Sequence, residues 1–242
     1  MIAAMRLLRP VDDERVRAHF EQACNQYARE KLVNPPLHTK LELDRVVQVL
    51  RRASPAPEGP VVDFGAGTGR LTLALAQAGY RVVAVDLSRS SLAILRHAAR
   101  DLGLDEIETR TTLPAGSFSA VVGADVLHHV DLDEYLPSIH RILRPGGTVV
   151  FSEPGALNPA WYVYLALRHG FRFETGILSC NVATLRRRFL RAGFRNVTVT
   201  GVGVLPRPLI AWSERACRRH DALGAWPILR WFAYRYLVQA TR

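Results

Sequence analysis

Two hydrophobic periods alternate along the first two thirds of this chain. Short apolar runs occur at Val61-Val62, Arg81 to Val85, Ile107 to Arg110, Ala120 to Gly123 and Thr148 to Ser152. Between them, apolar residues recur at helical spacing: Leu71, Leu73 and Leu75, then Leu92, Leu95 and Ala99, then Leu136, Ile139 and Leu143. Short apolar strands alternating with amphipathic helices predict parallel strands buried on both faces, because each helix covers the sheet while returning the chain to its starting edge. Phe194 to Val204 supplies a sixth strand, and Tyr236 to Ala240 returns as an antiparallel seventh. The expected fold is α/β: a doubly wound, seven-stranded, mostly parallel sheet with an antiparallel last strand and a helical cap.

Local chemistry marks the element ends. Ser88 is placed to cap the helix carrying Leu92 and Leu95, which Gly103 closes; Asp131 and Asp133 open the helix carrying Leu136, with Pro137 in its opening turns. Asn181 or Ser179 caps a helix with Leu185 and Phe189 that Gly193 stops. Ahead of the first strand, Asp12 and Asp13 cap an amphipathic helix with Val16, Phe20 and Tyr27 on one face, and Asn34-Pro35-Pro36 breaks it. Thr39-Lys40-Leu41-Glu42 then reads as a capping box opening a second helix through Val46, Val47 and Leu50. Residues 1–57 are accordingly expected as an N-terminal helical cap and 58–242 as the main domain, with substrate-side insertions at about 154–180 and 205–235. Helical runs are expected at Asn158 to Arg168, Leu209 to His220 and Trp226 to Tyr234 within those insertions.

Candidate chemistry gathers where the first strand ends. Asp63-Phe64-Gly65-Ala66-Gly67-Thr68-Gly69 follows two valines and precedes a helical run, so it reads as strand, tight turn, helix. Alternate glycines allow positive φ and close approach of a ligand to the backbone, while the N–H groups of the new helix point outward. Nineteen residues after Gly67, the second strand ends on Asp86, where an acid can accept both hydroxyls of a ribose. A dinucleotide site expects G-x-G-x-x-G, whereas this turn reads G-A-G-T-G, so a nucleoside cofactor other than a dinucleotide is expected.

The chain resembles the class I S-adenosylmethionine-dependent methyltransferases, of the type that includes the quinone-biosynthesis methyltransferases. Asp63 to Gly69 is similar to their first motif and Asp86 to their ribose-binding acid. Leu113-Pro114 is similar to a later landmark, Val126-Leu127-His128-His129-Val130 to the segment after strand four, and Leu143-Arg144-Pro145-Gly146-Gly147 to the turn before strand five. The resemblance covers Val61 to Glu153 and implies a Rossmann-like methyltransferase fold. It implies S-adenosyl-L-methionine as cofactor, held by Asp63, Gly65, Ala66, Gly67, Gly69, Asp86, Leu87 and Ala124. It implies methyl transfer to oxygen or carbon of a small hydrophobic acceptor, a lipid, quinone or phenol. Members place an acid four residues before the Leu-Pro pair to bind the adenine amino group; here Thr109 stands there, so Thr109 or Glu108, with Arg110, is expected at the adenine end. The segment before strand one often folds over the cofactor in this family, which points to Tyr27 and His38, with Glu153 and Trp161, around the substrate. Removing a proton from a hydroxyl or an acidic carbon calls for a base with a pKa near neutrality, and His129, then His128, are the candidates.

Composition narrows the partners. Hydrophobic residues make up 48% of the 242, enough to fill the core of one domain with a cap. Cys24, Cys180 and Cys217 are odd in number and lack metal-type spacing, so buried thiols in a reducing, cytoplasmic compartment and no metal site are expected. No signal segment or membrane span is expected, because no apolar stretch reaches spanning length. The net charge of +10 is uneven: residues 168–242 hold 14 arginines and 3 acids. Those arginines alternate with Phe171, Phe173, Trp212, Trp226, Trp231, Phe232, Tyr234 and Tyr236, a composition suited to peripheral contact with an anionic inner-membrane surface. The same charge raises the alternative of a nucleic-acid methylase. That reading lacks an Asn/Asp-Pro-Pro-aromatic motif after strand four, and Asn34-Pro35-Pro36 precedes strand one with no aromatic behind it, so a nucleic-acid partner is not expected. A non-catalytic scaffold is the third class, opposed by the intact Asp63, glycines and Asp86.

Overall fold

The valines that end on Asp63 and Asp86 lie side by side at the centre of one sheet. In the computed structural model, the residues described are 32–53, 59–104, 106–168, 175–206 and 209–242, together with Glu14 and Glu21. The seven strands are β1 (Val61–Phe64), β2 (Val82–Val85), β3 (Ile107–Arg110), β4 (Phe118–Ala124), β5 (Leu143–Pro154), β6 (Arg195–Val202) and β7 (Arg235–Thr241), in the order β3-β2-β1-β4-β5-β7-β6. The first five pair in parallel; β7 lies between β5 and β6, antiparallel to both. The chain runs outward from β1 to β3, then resumes at β4 on the other side of β1. This topological switch opens a crevice beyond the carboxyl ends of β1 and β4, where open α/β sheets bind ligands.

Strand residues sort to the two faces with a period of two, as a pleated strand requires. Val62, Val83, Val121 and Val149 join one core cluster with Leu136, Ile139, Leu185 and Phe189, the apolar faces of the helices Leu132–Ile142 and Val182–Arg191. Val61, Val82, Ala120, Val122 and Val150 face the other cluster, built from the helices Leu37–Ala53 and Arg70–Gln77. Leu50 is fully buried there beside Val46 and Val47, a burial worth about 1.5–3 kcal/mol per side chain.

The predicted caps stand where their chemistry put them. Ser88 Oγ accepts from the N–H of Ser91, Asp131 from that of Asp133 and the Asn181 side chain from that of Thr184. Three boundaries differ. The second helix begins at Leu37 and not at a Thr39 cap, because the carbonyl of Pro36 already accepts from the N–H of Lys40 at 3.0 Å and starts the helical ladder. In place of helices over Leu209 to His220 and Trp226 to Tyr234, the structure has a helix Glu214–Leu223, capped by Ser213, and a 3₁₀ turn Leu229–Phe232. Trp212, Trp226 and Ile228 are exposed and give that segment no buried helical face. The expected helix with Val16, Phe20 and Tyr27 lies outside the described residues, as do Phe171 and Phe173.

Candidate active site

The turn after β1 is built from three left-handed glycines, Gly65, Gly67 and Gly69, with φ of 74°, 52° and 98°. Two of them admit no side chain at all: a Cβ would lie 2.2 Å from a Val126 methyl at Gly65 and 2.2 Å from a Leu95 methyl at Gly69. At Gly67 a Cβ would meet nothing within 4 Å, so this glycine faces open space above the strand ends. The N–H groups of Gly65 and Ala66 are both taken by the carbonyl of Val85, at 2.8 and 3.0 Å, which clamps the turn to the end of β2.

Asp86 closes the clamp from the other side. Its Oδ2 accepts from the N–H of Gly67 at 2.7 Å and its Oδ1 from that of Ser88 at 2.8 Å. Each oxygen has two lone pairs, so one on each remains for a further donor. Burial pushes the Asp86 carboxyl up, against the two backbone donors that favour its charge. Behind the turn, Asp63 is buried; its Oδ2 accepts from Thr72 Oγ1 at 2.6 Å, while its Oδ1 finds no hydrogen-bond partner among the described residues.

Across the crevice, the chain leaves β4 through Asp125, a non-glycine residue with φ of 58°, and enters a 3₁₀ turn Leu127–His129. Glu153, fully buried at the end of β5, shapes this turn. Its Oε1 accepts from the N–H groups of Val126 and Leu127, each at 2.9 Å, and its Oε2 lies 2.7 Å from His128 Nδ1. With the carboxylate as acceptor, the ring hydrogen of His128 sits on Nδ1. Cys180 Sγ stands 3.9 Å from the same oxygen, and burial followed by the charge of Glu153 holds this thiol well above its usual range, so it remains an S–H donor. The ligand atoms of His128, Glu153 and Cys180 lie within 4.8 Å of one another, a spacing that could hold a metal, yet the carboxylate is already spanned by two backbone N–H groups, an imidazole and a thiol. His128 is thus an internal brace. His129, half-buried, packs against it with ring centroids 3.9 Å apart and the ring planes tilted by 44°.

A charge network behind the same rim escaped the sequence reading. Arg235 of β7 is buried, and its guanidinium reaches Asp125 Oδ1 and Glu42 Oε1, both at 2.7 Å, together with Ser152 Oγ and the Ser152 carbonyl, both at 3.0 Å. Arg70, the first residue of the helix after the glycine turn, stands 3.6 Å from Asp125 Oδ2. Burial opposes the charge of Asp125, but Arg235 and then Arg70 outweigh it and hold the carboxyl below its usual range. One indication was available in the sequence: a lone arginine inside the apolar run around Tyr236 needs a buried carboxylate to be tolerated.

Ala124 ends β4 opposite Ser152, and Leu87 follows Asp86, half-buried. Thr109 and Arg110 end β3: Thr109 Oγ1 accepts from Arg96 at 3.0 Å, and Arg110 Nε donates to Glu108 at 2.6 Å. His38 lies in the first turn of the helix Leu37–Ala53, half-buried. Trp161 stacks flat on Tyr234, centroids 4.6 Å apart, and donates Nε1–H to the Tyr234 carbonyl at 2.7 Å, which joins the two expected insertions. Asn158 makes the same connection through Nδ2, donating to the carbonyls of Val204 and Phe232. Tyr27 lies outside the described residues.

A left-handed glycine cradle, an acid on the neighbouring strand and a histidine-bearing turn across the switch point mark a nucleoside-binding crevice. The comparisons identify which. A methyltransferase domain family matches residues 62–151. The ubiquinone biosynthesis O-methyltransferase of Nitrosococcus oceani is 30% identical over 168 residues, covering 66% of this chain and 69% of that protein. That of Azotobacter vinelandii is 25% identical over 216 residues, 86% of this chain and 90% of that protein. Among solved structures, a Thermotoga maritima S-adenosylmethionine-dependent methyltransferase, a possible histamine N-methyltransferase, superposes with a TM-score of 0.64 at 18% identity, covering 93% of this chain and 98% of that one. The chain belongs to the class I S-adenosylmethionine-dependent methyltransferases and is an enzyme that uses S-adenosyl-L-methionine. The site fits this cofactor on its own chemistry: Gly67 opens onto free space, Asp86 keeps lone pairs for hydroxyl donors, and the buried Asp63 Oδ1 has no hydrogen-bond partner among the described residues.

Proposed function

We propose that this enzyme methylates a hydroxyl or an acidic carbon on a small hydrophobic acceptor, and that His129 removes the acceptor's proton. The observation that supports this reading is the braced turn after β4: Glu153 holds His128, and a half-buried His129 packs beside it at the carboxyl end of the sheet. When bound, the cofactor supplies an electrophilic methyl carbon on a sulfonium, to be displaced in line by the acceptor. The chain's own residues then have three tasks. Asp63, Gly65, Ala66, Gly67 and Gly69 cradle the amino-acid part, Asp86 and Leu87 hold the ribose, and Ala124 marks the crevice wall at the end of β4. Trp161 against Tyr234, with His38, encloses an apolar acceptor and excludes water, which keeps nucleophile and methyl aligned. His129 takes the proton as the new bond forms, with His128 as its positioning residue. The similarity to ubiquinone biosynthesis O-methyltransferases supports an oxygen acceptor on an apolar molecule.

The test is a labelled methyl donor offered to phenol, quinone and lipid fractions, with products identified by mass. On the acceptor so found, His129→Gln is expected to lower turnover by about 10²–10⁴-fold while leaving cofactor affinity unchanged. An active His129→Gln enzyme whose pH–rate profile lacks a limb near neutrality would assign the residue to packing alone.

A second reading, that the acceptor is drawn from an anionic membrane surface, is favoured by the exposed aromatics beyond Arg168. Trp212 is 79% exposed and Ile228 77%, with Trp226 and Phe232 also exposed, and the Arg230 guanidinium lies 5.7 Å from the Trp231 ring centre. Among the described residues no helix is long and apolar enough to cross a membrane. Each arginine near such a surface contributes about 1 kcal/mol, so several together hold a protein reversibly. Flotation with anionic liposomes, lost with neutral lipid or added salt, is the expected result; no flotation at low salt, with full turnover of a soluble acceptor, removes this reading.

A further inference from the structure

A buried histidine that no sequence motif marked holds the chain where β6 ends. His220, 8% exposed, lies on the helix Glu214–Leu223, and its Nε2 accepts from the backbone N–H groups of Val204 and Leu205, at 3.0 and 2.9 Å. A ring nitrogen that accepts carries no hydrogen, so the neutral imidazole has its hydrogen on Nδ1. That atom stands 3.9 Å from Asp221 Oδ1, and Asp221 Oδ2 in turn accepts from Arg45 of the helix Leu37–Ala53 at 2.6 Å. The ring packs against Gly203, where φ is 62° and a Cβ would lie 2.5 Å from the His220 Cε1.

The stretch it grips is a junction. The carbonyl of Gly203 accepts from the N–H of Tyr234 at 2.8 Å, and that of Val204 from Asn158 Nδ2, also at 2.8 Å. Asn158 donates as well to the Phe232 carbonyl at 2.7 Å, and its Oδ1 accepts from the N–H of Ala160 at 3.0 Å, at the start of the helix Pro159–Arg168. Trp161 of that helix lies flat on Tyr234. Hydrogen bonds thus run without a break from His220 to the Trp161–Tyr234 stack, while the glycine turn and Asp86 lie outside the chain they form.

We propose that His220 is a positioning residue for the methyl acceptor. Its unprotonated Nε2 sets the path of Gly203 to Leu205 and, through Tyr234 and Asn158, the aromatic wall against which the acceptor packs. The inference rests on the proposed enclosure of the acceptor by Trp161 and Tyr234.

His220→Leu leaves two backbone N–H groups without their acceptor and is expected to speed amide exchange at Leu205 and Tyr234 about tenfold, a readout that needs no methyl acceptor. With a labelled methyl donor and serial dilution of the phenol, quinone or lipid fraction that yields product, the same variant should raise the apparent KM about tenfold and leave kcat within about twofold. Its affinity for S-adenosyl-L-homocysteine should not change. His220→Gln, whose Oε1 can accept from both N–H groups, is expected to restore the exchange rates and the KM. Gly203→Ala crowds the ring while keeping the histidine, so it should reproduce the KM rise and carries the test if the leucine variant does not fold. Wild-type exchange at Tyr234 in His220→Leu overturns the proposal, as does a His220→Gln enzyme as impaired as the leucine one, or a loss of cofactor affinity that accompanies the KM rise. A Trp161→Ala enzyme with the wild-type apparent KM shows instead that the acceptor lies elsewhere, a failure of the enclosure reading that the exchange rates tell apart.

Discussion

Replacing Arg235 by alanine is expected to cost about 3–5 kcal/mol of folding stability, the range for stripping one partner from a buried charge network. The side chain is only 5% exposed and is the shared partner of Asp125 and Glu42, so its removal takes the common cation from both carboxylates and leaves Asp125 only the longer contact to Arg70. Burial alone would favour a neutral arginine, but the two carboxylates more than offset it and raise its pKa. Urea unfolding of Arg235→Ala and of Arg235→Met combined with Glu42→Gln separates the terms. The double variant, with one charge fewer to strand, is expected to recover part of the loss, and a loss below about 1 kcal/mol in the alanine variant would show that water replaces the guanidinium. The network's pH dependence follows from Asp125, whose pKa is depressed. Its contribution is present above the ordinary carboxylate range and is lost as pH falls through the lower, folded value. Arg235 also holds the side chain of Asp125, the left-handed residue from which the His128-His129 turn departs, so the alanine variant is expected to disturb the site as well as the fold.

The sheet, the glycine turn and three helix caps were legible because each rests on neighbours in sequence: alternation sorts Val61 and Val62 to opposite faces, and Ser88, Asp131 and Asn181 cap donors two or three residues ahead. What stayed hidden is carried by distant pairs. Asp125 and Arg235 meet across 110 residues because β7 inserts between β5 and β6, a pairing that no local pattern encodes. Glu153 likewise reaches His128 across 25 residues, and the sequence placed both at the rim without showing that one braces the other. The stretch Trp226 to Tyr234 misled for a different reason. Its apolar residues recur near helical spacing, but Trp226 and Ile228 face solvent, so the periodicity there has no core behind it. At Thr39 the capping-box pattern was outcompeted two residues upstream by the chain direction that Pro35-Pro36 imposes.

Raising the pH from 4 to 7 is expected to cost the fold about 3 kcal/mol through Asp63 alone, at about 1.4 kcal/mol per unit of pKa displacement. Asp63 is 1% exposed, accepts one hydroxyl hydrogen bond from Thr72 and leaves Oδ1 without a partner among the described residues. Burial first, with the charge of Asp86 adding to it, pushes its carboxyl up to about 7 against the Thr72 hydrogen bond. An aspartate in the unfolded chain releases its proton near pH 3.9, so between about 4 and 7 the folded state binds the extra proton and stability falls as pH rises. Above the folded value both states are ionised and the slope vanishes. Asp63→Asn, neutral throughout, carries no such slope. Urea unfolding of both proteins at pH 4.5 and 7.5 should therefore show the asparagine variant gaining on the wild type by about 3 kcal/mol across the interval. A stability difference that stays constant over this range would mean that Asp63 ionises normally, with water reaching the free oxygen behind the glycine turn.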